Sequence, residues 1–205
     1  MRIGIIGAGN VGQALGKASV RAGHTVTITA SHADEAGHVA AELGATAARS
    51  NADVIADADV VILAVPFDAV QGIADELGSR LAGKVLVDVS NRFSPEQLDG
   101  LSNAELIQGM APNAKVVKAF NTVFASHQAD PVIDDIQLDG FIAGDDSAAK
   151  QQVLALVASL GFRPIDTGPL AMARALEGMG MLNISLNMTN NWPWQTGWKL
   201  LGPTG

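Results

Sequence analysis

The chain of 205 residues is 48% apolar and 17% charged, so it can bury a sizeable core, and its 13 basic against 21 acidic residues give a net charge of −8. The basic residues are scattered singly, which makes nucleic acid and anionic membranes poor candidate partners. Without cysteine, clustered histidines, a signal peptide or a long apolar run, the sequence predicts a cytoplasmic protein with no disulfide, metal site or membrane span.

Strands and helices alternate along the chain. Residues 3–6 predict a strand that breaks at Gly7, after which apolar residues recur at helical spacing. Residues 24–29 alternate like a strand, and residues 33–43 predict a helix that ends at Gly44. The same criteria predict further strands at 59–65, 84–89, 115–119, 140–143 and 162–166, and further helices at 68–81, 103–110, 147–160 and 168–187.

This alternation, repeated roughly every 20 to 30 residues, is typical of a doubly wound α/β fold with right-handed crossovers. The run 59–65 is apolar on both faces, as expected for a central strand of a parallel sheet that helices cover. We therefore predict a Rossmann-type, mostly parallel sheet in a dinucleotide-binding domain of residues 1–166. Residues 167–205 are predicted to form a small C-terminal part, with one helix and a tryptophan-rich tail.

The first predicted strand leads into a glycine-rich turn. The sequence Gly-Ala-Gly-Asn-Val-Gly starts at Gly7 and fits the dinucleotide fingerprint G-x-G-x-x-G, between a strand and a helix as that fingerprint requires. Gly7 would permit the tight turn, Gly9 the approach of a pyrophosphate, and Gly12 close helix packing. Asn10 and Val11 open the helix, whose N-terminus supplies N–H donors to phosphate. A purely structural turn is the alternative.

The end of the second predicted strand indicates which nucleotide is preferred. NAD-binding proteins commonly have an acidic residue there that hydrogen-bonds the ribose, whereas this chain has Ser31 and His32 and no carboxylate before Asp34. A carboxylate would repel a 2′-phosphate, so its absence favours NADP. Ser31 and His32 are the candidate phosphate ligands, through a hydroxyl and a ring N–H or positive charge. An exposed cap residue is the alternative for His32.

Further motifs follow the glycine-rich turn in a characteristic order. They are Ala64-Val-Pro66, Val87-Asp-Val-Ser-Asn91, Lys118-Ala-Phe-Asn-Thr122, Gly144-Asp-Asp146 with Ala149-Lys150, and Gly161-Phe162 followed by Asp166-Thr-Gly-Pro-Leu170. In this order and spacing, to about Leu182, the chain resembles the coenzyme F420-dependent NADP oxidoreductase family. Its dinucleotide-binding part is also similar to that of six-transmembrane ferric reductases.

The resemblance implies an NADP-dependent oxidoreductase that passes a hydride between the nicotinamide and a second substrate, a deazaflavin such as coenzyme F420 or a flavin. It places Ser31 and His32 where the deazaflavin enzymes have a serine and an arginine, so the missing arginine implies a weaker NADP preference. Hydride transfer between two heterocycles needs alignment rather than an acid or base, so we expect no catalytic side chain. The expected nicotinamide-side contacts are Ala64, Val65, Pro66, Asn91 and Asn121.

The second substrate and the assembly are expected to involve the C-terminal part. Arg92, where relatives often have proline, would present a positive charge at the substrate mouth or be a plain surface residue. All three tryptophans lie in the tail, and Trp192 and Trp194 are candidate contacts for a planar ring. So apolar a tail also predicts a homodimer formed through the C-terminal part. The alternative is a monomer in which Trp192, Trp194 and Trp198 fold onto the chain's own sheet.

Two other functions remain open at the level of sequence. A dehydrogenase or reductase of a small organic substrate would use the same cofactor, and Lys118 with Asn121 could then act as proton donor and substrate clamp. Such enzymes usually carry a much longer helical domain after the Rossmann part, whereas only about 40 residues follow Asp166. The third possibility is a dinucleotide-binding module without turnover.

Overall fold

The computed structural model describes residues 1–91 and 100–202. In chain order the strands are β1 (Arg2–Ile6), β2 (Thr25–Thr29), β3 (Thr46–Ala47), β4 (Val60–Leu63), β5 (Val85–Asp88), β6 (Lys115–Lys118), β7 (Val132–Ile133), β8 (Ile136–Gln137), β9 (Asp139–Gly144) and β10 (Arg163–Asp166). The helices are α1 (Asn10–Arg21), α2 (Ala33–Leu43), α3 (Asn51–Ala56), α4 (Val70–Leu77), α5 (Asn103–Met110), α6 (Ala125–Gln128), α7 (Ser147–Ser159) and α8 (Ala173–Asn190). Within these described residues, no helix has both the length and the apolar character needed to cross a membrane.

The described strands other than β7 and β8 form one sheet in the order β10-β9-β6-β5-β4-β1-β2-β3. Strands β1 to β6 are parallel, and the order 3-2-1-4-5-6 is that of a dinucleotide-binding Rossmann sheet. Strand β9 is antiparallel to β6, with Val117 opposite Gly144, and β10 is parallel to β9. The predicted doubly wound, mostly parallel α/β fold is therefore confirmed.

The central strands are buried on both faces because helices cover both sides of the sheet. Along β4, Val60 and Ile62 join the core that includes residues of α1, α2 and α7. Val61 and Leu63 point the other way and join the core that includes residues of α3, α4 and α5. This two-sided burial explains why the sequence of β4 lacks polar alternation.

The C-terminal part lies against the outer strands of the sheet. Leu176 of α8 packs with Phe141 of β9, and Trp198 of the tail packs against the same cluster. The helix predicted at 168–187 is displaced along the chain, since Pro169 opens a 3-10 turn that precedes α8. Trp198 thus folds onto its own chain.

Three charged side chains, termed the rim cluster, fasten the tail to β9 and β10. The buried carboxylate of Asp139 accepts two hydrogen bonds from the Arg163 guanidinium, each at 2.6 Å, and one from the Lys199 ammonium at 3.1 Å. It also accepts one from the Leu200 N–H at 2.7 Å. The rim cluster (Asp139, Arg163 and Lys199) therefore links the end of the described chain to the sheet.

Candidate functional site

The carboxyl ends of β1, β4, β5 and β6 meet at one edge of the sheet, the edge at which ligands bind in this class of fold. Strand β1 pairs with β2 on one side and with β4 on the other, so the chain leaves β1 where the strand order reverses. The glycine-rich turn follows β1, residues 64–66 follow β4, and Asn91 and Asn121 follow β5 and β6. The topology thus brings the predicted cofactor residues of four strands to one edge.

Two of the three fingerprint glycines are required by the protein itself. Gly7 has a φ of +109°, and a Cβ there would overlap the carbonyl oxygen of Ala64. A Cβ at Gly12 would overlap the carbonyl oxygen of Gly7. Gly9 differs, because its φ of −71° suits any residue and a Cβ there would meet no atom within 4 Å beyond its chain neighbours. Within the described residues, neither backbone conformation nor packing calls for glycine at position 9.

Helix α1 begins at this edge with its N-terminus open. Gly9 is the N-cap and contributes no side-chain hydrogen bond, and the first turn contains no acidic residue. The Gln13 side chain donates to the Ala8 carbonyl at 2.7 Å, which ties the helix to the preceding turn. Gly9 and Asn10 are exposed, and Val11 is half-buried. The amide groups and positive dipole end of α1 are therefore available to an anion such as a pyrophosphate.

Ser31 and His32 lie one strand away from the glycine-rich turn. They follow β2, whose last residue, Thr29, accepts a hydrogen bond from the Gly7 N–H at 3.0 Å through its carbonyl oxygen. Both side chains are exposed, and His32 is the N-cap of α2 without a hydrogen bond from its ring to the helix. Two acidic residues in the first turn of α2 weaken the attraction of this corner for a phosphate.

Residues 64–66 continue from β4 along the same edge. The Ala64 N–H donates to the Ile6 carbonyl at 2.8 Å, so this segment stays beside the glycine-rich turn. Ala64 and Val65 are half-buried and Pro66 is exposed. The segment therefore offers a largely apolar surface next to the end of β1.

A cavity of about 160 Å³ lies between this edge and α8. Its walls combine the start of α1, both predicted asparagines, an aromatic ring and one face of α8. The residues concerned are Val11, Asn91, Asn121, Phe124, Gly180, Asn183 and Ile184. Three residues that the sequence implicated separately, Val11, Asn91 and Asn121, thus surround one space.

The two asparagines bind each other in the wall of this cavity. The side-chain amide of Asn91 donates to the backbone carbonyl oxygen of Asn121 at 2.9 Å. The side-chain amide of Asn121 donates to Asn91 Oδ1 at 2.8 Å. The Asn121 amide also donates to the Leu176 carbonyl of α8 at 2.9 Å. Helix α8 approaches so closely that a Cβ at Gly180 would overlap Asn91 Oδ1. The pair therefore joins the ends of β5 and β6 to α8.

Three buried polar atoms of cavity-lining residues lack a hydrogen-bond partner in the part of the chain that the structure describes. They are Asn121 Oδ1, Thr122 Oγ1 and Gln128 Oε1. Buried polar groups are nearly always paired, so these atoms indicate a polar ligand or ordered water. One hydroxyl beside two amide oxygens suits a group that both donates and accepts, and the carboxamide of a nicotinamide is such a group.

The sequence suggested Lys118 only as a possible proton donor, and it did not predict the two buried carboxylates that surround this ammonium near the sheet edge. The ammonium of Lys118 donates to Asp88 Oδ2 at 2.7 Å, to Glu177 Oε1 at 2.7 Å and to the Ser90 carbonyl at 2.5 Å. Asp88, Lys118 and Glu177, termed the inner cluster, have side chains 1%, 0% and 6% exposed. Two features of the sequence could have indicated this cluster. Asp88 ends an apolar strand and Glu177 lies within a mostly apolar helix, and an acidic residue in such a place is commonly buried with a partner.

The inner cluster holds α8 against the sheet rather than facing the cavity. The Asn103 N–H at the start of α5 also donates to Glu177 Oε1, at 2.9 Å. Burial raises the pKa of Glu177, and the neighbouring Lys118 ammonium only partly opposes that effect. Three acceptors occupy the Lys118 ammonium, and Lys118 does not line the cavity. This geometry does not favour Lys118 as a proton donor to a substrate.

The predicted second-substrate residues are placed differently from one another. The Trp194 indole meets the Phe124 ring edge to face, with centroids 5.4 Å apart, beside the cavity wall. Trp192 does not line the cavity, and its ring stacks on no other ring among the described residues. Arg92 lies outside the described residues. Of the two tryptophans, the structure brings Trp194 and not Trp192 to the site.

Comparison with known proteins yields relatives that are similar in sequence and in fold. A family model for coenzyme F420-dependent NADP oxidoreductases matches residues 2–92. Among solved structures, a protein from Arthrobacter sp. FB24 that is provisionally assigned as an F420-dependent NADP-reductase is 31% identical in sequence. It superposes with a TM-score of 0.86 over 98% of this chain and 100% of its own.

Two curated relatives match over most of this chain. The F420-dependent NADP reductase of Methanocaldococcus jannaschii is 32% identical over 149 residues, which are 67% of this chain and 66% of that protein. Metalloreductase STEAP3 of Rattus norvegicus is 32% identical over 180 residues, which are 87% of this chain but 36% of that protein. The chain therefore spans about a third of the length of the metalloreductases that it matches.

Proposed function

Because the chain belongs to the coenzyme F420-dependent NADP oxidoreductase family, we propose that it transfers a hydride between NADP(H) and a deazaflavin or flavin acceptor. The observation that carries this proposal is Gly9, a glycine at an open helix N-terminus that the described chain itself does not require. A pyrophosphate on the turn would leave no room for a side chain there, which accounts for the glycine. The same observation argues against a purely structural turn.

The proposed cofactor site follows the sheet edge. Gly9 and the first amides of α1 bind the pyrophosphate, and Ser31 with His32 binds the 2′-phosphate. Val65 and Pro66 flank the nicotinamide. Its carboxamide donates a hydrogen bond to Asn121 Oδ1, the side-chain oxygen that has no partner among the described residues. Each of these assignments rests on position and on hydrogen-bonding capacity.

The chemistry requires alignment more than acid–base catalysis. The bound nicotinamide supplies or accepts the hydride, so the residues of the chain have to orient it and exclude water. The reciprocal bonds between Asn91 and Asn121 make one wall rigid, and Gly180 brings α8 against that wall. The saturated ammonium of Lys118 is consistent with a reaction that needs no proton donor.

The test of the proposal is Gly9→Val, with Gly109→Val in α5 as the matched control. Among the described residues, a Cβ at either position meets no atom within 4 Å beyond the adjacent backbone. Both variants are therefore expected to fold, as measured by circular dichroism and urea unfolding. Only Gly9→Val is expected to lose NADPH binding in a fluorescence titration. Normal NADPH binding by Gly9→Val would refute the proposed site, and failure of the parent to oxidise NADPH with either acceptor would refute the proposed reaction.

The nucleotide preference is tested separately at His32. The proposed phosphate contact predicts that NADPH binds more tightly than NADH, by a modest factor because histidine replaces an arginine. His32→Arg should increase this ratio and His32→Ala should decrease it, with little change in NADH affinity, since NADH lacks the 2′-phosphate. A ratio that is the same in all three proteins would exclude His32 from the phosphate site.

We further propose that the protein forms a homodimer through its C-terminal part. Large apolar side chains remain exposed there, including Leu182, Met188 and Leu201. A two-fold contact would cover these side chains with the same surface of a second copy, and two-fold dimers are the commonest homo-oligomers. Sedimentation at micromolar concentration tests this proposal: a monomeric protein would refute it, and Leu182→Lys should weaken a dimer.

A further inference from the structure

One wall of the cavity is aromatic. The Phe124 ring lines the cavity just before α6, and the Trp194 indole meets it with the two ring planes at 70°. Edge-to-face packing of this kind restrains the orientation of both rings. Because the Trp194 side chain is 43% exposed, the pair forms an aromatic surface that solvent reaches.

Trp194 is held beside this wall with an uncommon backbone conformation. Its φ of +60° is left-handed, a region that bulky residues rarely adopt. The Trp194 N–H donates to Asn187 Oδ1 at 3.1 Å, and the Ser126 hydroxyl donates to the Trp194 carbonyl at 3.1 Å. The Asn187 amide in turn donates to the carbonyl of Asn183, which lines the cavity. Polar contacts from α6 and α8 thus keep an exposed indole against a cavity-lining ring.

On the basis of the proposed function, we propose that Phe124 and Trp194 form the surface that receives the planar ring of the electron acceptor. The nicotinamide would enter beside Val11 and Asn121 at the sheet edge, which leaves the Phe124 ring and the face of α8 for the acceptor ring. Of these two walls, only the first presents an aromatic surface. Flat heterocycles bind to aromatic side chains by offset stacking and edge contacts. Trp192 has no part in this surface, although it is two residues away and equally exposed, at 42%.

The test compares Trp194→Leu and Trp194→Phe with the matched control Trp192→Leu. Binding of flavin mononucleotide and of 8-hydroxy-5-deazaflavin is measured by ultrafiltration without NADPH, and KM, kcat and the Kd for NADPH are measured separately. A stacked aromatic partner typically strengthens ring binding about tenfold. Trp194→Leu is therefore expected to raise the Kd and KM of the acceptor about tenfold, with kcat and the NADPH Kd within about twofold of the parent.

The conservative variant and the control separate a binding role from a structural one. Trp194→Phe retains an aromatic edge and should recover most of the acceptor affinity, while Trp192→Leu should keep the parental Kd. An unchanged acceptor Kd in Trp194→Leu, equal losses in both leucine variants, or a parent that binds neither acceptor would overturn the assignment. A parent that binds an acceptor but not NADPH would overturn the proposed function instead.

Discussion

The inner cluster and the rim cluster both fasten the C-terminal part to the sheet, but they differ in their access to water. In the inner cluster, all three side chains are almost completely buried. In the rim cluster, Asp139 is buried while Arg163 and Lys199 are 27% and 24% exposed. In the inner cluster, a charge that loses its partner cannot be hydrated by solvent. In the rim cluster, an unpaired Arg163 or Lys199 is still partly hydrated. Loss of the shared partner is therefore expected to cost more at the inner cluster, where that partner is Lys118, than at the rim cluster, where it is Asp139.

The largest expected effect comes from Lys118→Ala. The substitution leaves Asp88 and Glu177 facing each other in a buried space without their cation, which typically costs about 3–5 kcal/mol of folding free energy. Urea unfolding measures this loss. The kcat of the folded fraction should stay within about tenfold of the parent, because the proposed reaction needs no proton from this residue.

Two measurements could contradict that prediction. A stable Lys118→Ala protein whose kcat has fallen by about a thousandfold would favour acid catalysis and the small-substrate dehydrogenase alternative. A triple variant, Asp88→Asn with Lys118→Met and Glu177→Gln, removes every charge of the cluster and should be more stable than Lys118→Ala. If it is not, the unpaired carboxylates are not the cause of the loss.

Asp139→Asn in the rim cluster is expected to cost less, about 1–3 kcal/mol. Burial opposes ionisation of Asp139, but Arg163, the Leu200 N–H and Lys199 together hold its pKa below the usual range. Its stabilising contribution is therefore present above the ordinary carboxyl pKa and is lost as the pH falls. Tryptophan fluorescence, which comes entirely from the tail, should report release of the tail before global unfolding. A loss of stability larger than that of Lys118→Ala would reverse the comparison.

Glu105→Gln tests a third link, between α5 and the start of α8. The Arg174 guanidinium, with help from the Ser102 N–H and hydroxyl, lowers the pKa of Glu105 to about 2. Because Arg174 is 47% exposed, solvent screens the pair, and we expect a loss of only about 1 kcal/mol near pH 7. The difference in stability between the parent and Glu105→Gln should shrink as the pH falls from about 4.5 towards 2. Over this range Glu105 is protonated and the parent loses the stabilisation that its carboxylate provides. Thermal unfolding across this range would show a constant difference if the ion pair were irrelevant.

Glu177→Gln should have the smallest effect at neutral pH and the most informative pH dependence. Because burial raises the pKa of Glu177, the unfolded chain releases this proton at lower pH than the folded chain does. The parent should therefore lose stability as the pH rises above the ordinary carboxyl range, and Gln removes that loss. The variant should equal or exceed the parent at pH 8, and a variant clearly less stable there would show that Glu177 stabilises as an anion.

Much of the fold could be predicted because buried positions require apolar residues, and the spacing of apolar residues distinguishes strands from helices. The two-sided apolar run of β4 and the glycine-rich turn indicated a covered parallel sheet and its ligand edge. The direction of β9 was not predictable, since an apolar run such as 140–143 looks the same in parallel and antiparallel pairing. Within the helix predicted at 68–81, the α-helical part is Val70–Leu77, because Gly78 adopts a φ of +50° and ends α4. Short 3-10 turns, Phe67–Ala69 and Gly78–Leu81, flank it on either side.

Some residues of the site could likewise be predicted from the sequence, and others could not. Asn91 and Asn121 could be predicted because each directly follows a strand, where the parallel topology forces neighbouring segments together. The inner cluster could not, because Lys118 and Glu177 are 59 residues apart and meet only where α8 comes back to the end of β6. Trp192 and Trp194 could not be distinguished by sequence either, since the left-handed backbone at Trp194 and its contact with Phe124 depend on the folded tail.

The close approach at Gly180 sets the distance between α8 and the sheet, and with it the width of the cavity. Since a Cβ there would overlap Asn91 Oδ1 and come within 3.1 Å of the Asn121 carbonyl oxygen, a single methyl group would push α8 away from the sheet or break the asparagine pair. One small position thus acts as a spacer between two layers, and substitutions at Gly180 offer a direct way to enlarge the space for a bulkier ring.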